Sequence, residues 1–139
     1  MSGMVGLRQH LQELLQTFLA RVAGPKTPKV VLEQRGFELL SQHLSPSQRR
    51  QYSLLRSFDV VGGDTGKRYR IRHGRLMNIE QLDQKGQSVM VLCFRPRGRL
   101  PVGDIMLAQK VALELFETEA LKVANRAPRW SHVSNSDDL

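Results

Sequence analysis

The feature that most narrows the fold of this chain is a double change of hydrophobic period. Up to residue 56 the apolar side chains recur at three- and four-residue steps; from 57 to 94 they alternate; from 104 the longer step returns. A step near 3.6 lines up one face of a helix and a step of 2 lines up one face of a strand. The connections inside the alternating region are too short for a parallel crossover, so the strands must be antiparallel neighbours. Helices, then a meander, then helix again define an α+β domain of three to four antiparallel strands with helices packed on one face.

The first helix is amphipathic. Leu7, Leu11, Leu14, Leu15, Phe18, Leu19 and Val22 share one face of a segment over residues 4–23, and Gly24-Pro25 ends it. Each proline in GPKTPK disfavours helix in the residue before it, so 24–29 reads as an extended linker. A helix on a linker either packs on its own core or contacts a partner, with Leu11 and Phe18 as the contacting side chains. VVLEQRGFELLSQHL (30–44) predicts a second helix, weakened by Gly36. Ser45-Pro46-Ser47-Gln48 matches a capping box with proline at the first helical position, which starts a third helix running to about Arg56.

Strands are expected at 57–61, 67–73, 75–82 and 87–94, separated by GGDTG, Gly74 and DQKG. A last helix over 104–125 carries the stripe Ile105, Ala108, Val111, Ala112, Leu115 and Phe116, wide enough to cover the sheet. RAPRWSHVSNSDDL reads as a flexible tail in which Trp130 is a candidate docking anchor. The organisation is thus an N-terminal helix (1–23), a linker (24–29), one α+β domain (30–125) and a tail (126–139).

The 139 residues carry a net charge of +8, and its distribution is uneven. Residues 1–57 and 58–99 each hold five more cationic than acidic side chains, whereas 100–139 holds two fewer. Such a body attracts polyanions and acidic proteins. The single cysteine, Cys93, excludes an intramolecular disulfide and fits a reducing compartment. Arg8, Gln9, His10, Gln12 and Glu13 interrupt the first apolar stretch, so it is no secretory signal, and no run is long enough to span a membrane. A cytoplasmic location is the expectation, with no membrane partner.

The charge concentrates in KRYRIRHGR (67–75). In a strand, Tyr69 and Ile71 face the helices while Arg68, Arg70 and Arg72 face water, since burying three unpaired guanidinium groups is far too costly. Asp59 and Glu80 on neighbouring strands are potential ion-pair partners for that row. Arg75 lies just beyond, and Arg97 and Arg99 follow the last strand together with Arg95. Arginine's planar fork suits phosphate and carboxylate, so Arg68, Arg70, Arg72, Arg75, Arg97 and Arg99 are the candidate polyanion-binding residues. With aromatics at 6% and Tyr69 turned inward, the row lacks the exposed stacking rings of sheet-based single-strand binders.

The remaining motifs carry little chemistry. VGGDTGK departs from a phosphate loop: Val61 replaces the first glycine, Arg68 the magnesium-binding hydroxyl, and a strand follows instead of a helix, which leaves a hairpin turn. His10, His43, His73 and His132 have no ligand spacing, and one cysteine cannot complete a zinc site with them, so no metal or cofactor is expected. No strand–turn–helix context surrounds a nucleophile, so no enzyme is expected either. PRGRLP (96–101) resembles the core of the AT-hook, with Leu100 where a proline normally follows; that resemblance implies Arg97 and Arg99 reaching into a minor groove.

HLSPSQRRQY, GKRYRIRHGR with Asn78, CFRP, LPVGDIMLAQKVALE and VANR together resemble a module of bacterial and phage hypothetical proteins, over about Leu40 to Arg126. The resemblance implies a self-contained domain and assigns no activity. The expected function is a non-enzymatic basic module that grips nucleic acid or an acidic protein. The alternative is a structural subunit of a phage particle or larger complex, or a homo-oligomer, joined to its neighbours through the first helix or the tail.

Overall fold

The computed structural model describes residues 2–22 and 28–128, with side chains over 6–18 and 28–128. Those residues form an α+β fold of five helices and a five-stranded antiparallel meander, with helices packed against the sheet. The chain runs α1 (Ser2–Val22), α2 (Lys29–His43), α3 (Pro46–Leu55), β1 (Ser57–Val61), β2 (Arg68–Arg72), β3 (Ile79–Leu82), β4 (Ser88–Cys93), α4 (Val102–Leu115), α5 (Glu117–Val123) and β5 (Asn125–Pro128). Spatial order follows sequence order, with β1 and β5 at the edges.

The two-residue rhythm sets the core. Phe58 pairs with Ile71, Val60 with Tyr69, Ile71 with Ile79, and Ile79 with Leu92, so these side chains point to one face. They pack with Leu40 and Leu44 of the α2 end and with Met106, Leu107 and Leu113 of α4. Each such side chain removed from water contributes roughly 1.5–3 kcal/mol before entropy is counted.

Helices α2 and α4 cross at two glycines. A Cβ on Gly103 would lie 2.3 Å from the carbonyl carbon and oxygen of Gly36, and one on Gly36 would lie 2.8 Å from the Cβ of Pro101. Gly36 weakens its helix in isolation, yet it permits this approach. Glu33, one turn earlier, then reaches the start of α4 and accepts from the amide of Val102 at 3.1 Å.

Helix α3 begins as the sequence predicts. The amide of Gln48 donates to the Ser45 hydroxyl at 3.2 Å, and the amide of Ser45 donates to Gln48 Oε1 at 3.0 Å. The same Gln48 donates through Nε2 to the carbonyl of Asp59 at 2.9 Å, while the Asp59 amide donates to Gln51 Oε1 at 2.9 Å. Two side-chain amides thereby satisfy the outer backbone groups at the middle of edge strand β1, which blunts it as a template for another strand.

The structure corrects the sequence reading in three places. Residues 75–78 are a loop rather than the start of β3, held by the Arg72 amide donating to the Asn78 carbonyl at 2.7 Å and by Met77 in the left-handed region at φ 49°. The helix expected over 104–125 breaks at Phe116. The carbonyl of Leu113 accepts from Gly63 of the β1–β2 loop at 3.0 Å, and Asp64 accepts from the amide and hydroxyl of Thr118 at 2.9 and 2.8 Å. The hairpin loop thus takes a carbonyl that a continuing helix would use, and caps the next helix from outside. Residues 126–128, read as part of the tail, instead lie in β5, paired with β4. Trp130 falls outside the described residues, as do most of the linker and the rest of the tail.

Among the described residues, no helix is long and apolar enough to cross a membrane.

Candidate polyanion-binding site

Strand register carries Arg68, Arg70 and Arg72 to the face opposite the helices, where two carboxylates meet them. Arg68 Nη2 lies 3.3 Å from Asp59 Oδ2, and Arg70 Nε lies 2.9 Å from Asp59 Oδ1. Arg72 holds Glu80 in a two-point clasp, Nε to Oε1 at 2.8 Å and Nη2 to Oε2 at 3.1 Å. Side-chain exposures of 47%, 28% and 49% leave these arginines partly in water, but three cations now face two anions. The outer-face row, with Asp59 and Glu80 as its potential partners, is a ladder of cross-strand ion pairs, and the strand register sets the two carboxylates on either side of Arg70.

A second set of cations collects elsewhere. Lys29 opens α2, Arg75 lies in the β2–β3 loop, and Arg95, Arg97 and Arg99 lie between β4 and α4. Lys29, Arg75, Arg95 and Arg99 line a cleft of about 530 Å³ in which Glu33 is the lining carboxylate. A second cleft of about 410 Å³ shares Arg95 and Gly98 with the first and adds Arg8 and Arg97. Among the described residues no carboxylate pairs with Arg95, Arg97 or Arg99, and all three are exposed.

Arg75 builds the cleft more than it offers charge to it. One guanidinium nitrogen lies 2.6 Å from Glu33 Oε1, and the other donates to the carbonyl of Leu100, tying α2 to the loop. Leu100 is buried with Leu15, Ile105 and Ala108, so the Arg-Gly-Arg segment is anchored at its C-terminal end. Gly98, at φ 100°, supplies the left-handed turn between Arg97 and Arg99. PRGRLP is therefore a fixed rim of the cleft, a different state from the disordered peptide of an AT-hook.

Two groups of buried polar side chains are held internally. Asn78 and Gln109 exchange side-chain hydrogen bonds of 2.8 and 2.9 Å, and each also bonds a backbone carbonyl, of Arg72 and Phe94 respectively. Glu117, fully buried, accepts from the amide of Thr65 at 2.9 Å, from its hydroxyl at 2.6 Å and from the Tyr69 hydroxyl at 3.3 Å. Burial, and then the Glu117 carboxylate, push Tyr69 up to about 12. Asp104, buried in the first turn of α4, is pushed up to about 6 by burial and secondly by Glu33.

Of the proposed partner-binding side chains, Leu11 turns inward: with Phe94, Pro96, Ala108 and Ala112 it lines a narrow gap of about 40 Å³ beneath α1. Phe18 is 43% exposed, its ring edge-on to His43 at 6.5 Å. Cys93 is buried on the sheet face away from the core cluster. Among the described residues, no three His, Cys, Asp or Glu side chains gather as a metal site.

Sequence reasoning missed one cluster. His73 stacks on Phe37 with centroids 5.5 Å apart and planes 21° apart, and Tyr52 lies 6.4 Å from each. Residues on α2, α3 and the end of β2 meet there; no spacing within any one element marks it.

No family model, curated protein or solved structure matches this chain.

Proposed function

We propose that this chain is a non-enzymatic basic binding module that grips a polyanion, nucleic acid or an acidic protein surface. The grip lies in the joined clefts around the β4–α4 loop. One observation carries the reading: Arg95, Arg97 and Arg99 stand exposed and, among the described residues, without acidic partners, beside Lys29 and with a single lining carboxylate, Glu33, in the first cleft. The outer-face row of Arg68, Arg70 and Arg72 is secondary in this reading, because Asp59 and Glu80 already occupy it.

Binding of this kind releases counterions, so affinity should fall steeply with salt. Heparin is a suitable probe. Arg97→Ala with Arg99→Ala should weaken heparin binding and reduce the slope of log affinity against log salt by about 2, one for each guanidinium removed from the anion. Affinity independent of salt, or a double variant that binds as tightly as the parent, would remove the proposal.

A second reading, an assembly subunit, has its own support: Leu14 and Phe18 of α1 are exposed while Leu15 is buried. Sedimentation of the full chain against its Leu14→Ser, Phe18→Ser variant separates the readings, since an assembly interface on α1 predicts loss of oligomer in the variant.

A further inference from the structure

The cluster around His73 lies near two cleft-lining residues in the chain, with Phe37 one turn after Glu33 on α2 and His73 two residues before Arg75, and its composition differs from that of a core. Phe37, His73 and Tyr52 hold three rings in rough alignment, with interplanar angles of 21°, 30° and 31°. The Tyr52 hydroxyl lies 3.0 Å from His73 Nδ1. Arg56 lies over the group: its guanidinium carbon is 5.8 Å from the Tyr52 centroid, and its Nη2 lies 3.3 and 3.4 Å from the two His73 ring nitrogens. His73 and Arg56 are exposed while Phe37 and Tyr52 are half-buried. The stack is therefore rooted in the fold and open at its outer layer. Leu54 and Leu55, immediately before Arg56, are 81% and 66% exposed and extend an apolar margin beside it.

The backbone at Arg56 adds an independent observation. Arg56 ends α3 in the left-handed region at φ 56°, the position that glycine fills without strain. A long cationic side chain stands where the backbone favours none, and that side chain closes the aromatic stack. Strain kept at one position is a pointer to use.

Glu33 connects the stack to the cleft. Its carboxylate pairs with Arg75 and lines the cleft, and Phe37 of the stack follows it by one turn of α2. Burial and then the neighbouring Arg56 hold His73 below its ordinary value, against the pull of Glu33. Planar groups together with a cleft rich in arginine match a chain of alternating rings and phosphates. A duplex hides its base faces and an acidic polypeptide has none; a single strand offers both.

Building on the polyanion reading above, we propose that Arg56, His73, Phe37 and Tyr52 form a base-stacking platform, and that the occupant of the adjoining cleft is single-stranded nucleic acid.

The test uses the full chain and four fluorescent or competing probes: a twelve-nucleotide single strand, a duplex of the same length, heparin and polyglutamate. The single strand should bind at least about fivefold more tightly than the duplex. Arg56→Gly, which suits the left-handed backbone and should melt no lower than the parent, should weaken single-strand binding about fivefold or more and heparin binding by less than twofold. His73→Ala should do the same, and His73→Phe should restore the single-strand affinity. Equal affinity for single strand and duplex, or Arg56→Gly and His73→Ala both binding the single strand as the parent does, overturns the platform while heparin binding keeps the cleft. Tightest binding to polyglutamate overturns it in favour of an acidic protein. Failure of the parent to bind any of the four removes the cleft as well.

Discussion

At the scale of single residues, buried carboxylates show how this chain accommodates charge. Glu117 is surrounded by donors, whereas Asp104 sits close to another carboxylate, Glu33. Asp104 is pushed up to about 6 from 3.8. Between those values the folded chain keeps a proton that the unfolded chain has released, so this group's contribution falls as pH rises from about 4 to 6 and is fully present below that window. Asp104→Asn should therefore gain stability over the parent across the same interval, near zero at pH 4 and about 1–2 kcal/mol above pH 6, with the helix dipole keeping the gain small. Urea titrations at several pH values check it; a constant difference from pH 4 to 7 would refute the assignment. Nothing in DIMLAQK distinguishes Asp104 from a surface acid at a helix start. Its burial comes from α2 crossing at Gly36, which lies far away in the chain.

At the scale of elements, α3 and β1 are coupled through glutamine side chains. Ser45 contributes a local cap alone, so Ser45→Ala should cost about 1 kcal/mol. Gln48 closes the capping box and also bonds the Asp59 carbonyl on the edge of the sheet. Gln48→Ala should cost roughly 2–3 kcal/mol, because it removes a partner from two backbone groups at once. Equal losses in the two variants, measured by chemical denaturation, would show that the bond to the sheet edge contributes nothing. The capping box was legible because its four residues are adjacent in sequence. The bond to Asp59 was not, since glutamine spacing carries no mark of a strand eleven residues on. The break at Phe116 was equally hidden: LELFETEALKV keeps helical spacing, and the Gly63 and Asp64 hydrogen bonds that interrupt it come from the hairpin loop.

At the scale of the whole molecule, two groups of arginines divide structure from surface charge. Arg70 is ion-paired and the least exposed of its row, whereas Arg97 and Arg99 hold no acidic partner among the described residues. Arg70→Ala should lower stability by about 1 kcal/mol and leave heparin affinity within twofold. Arg97→Ala and Arg99→Ala should do the reverse, leaving the melting temperature unchanged. Calorimetry beside heparin titration of the same three variants tests that division; heparin affinity lost in Arg70→Ala would return the outer face to the binding surface.

Periodicity alone determined that this chain makes a helix-covered antiparallel meander, and that Arg68, Arg70 and Arg72 leave the core, because which face a side chain takes depends on its neighbours one to four residues away. Whether those arginines meet carboxylates, where the other cations gather into a cleft, and how Phe37, Tyr52, Arg56 and His73 come to share one surface were decided by tertiary structure. Those outcomes depend on which distant segments pack together, and hydrophobic spacing carries no record of that.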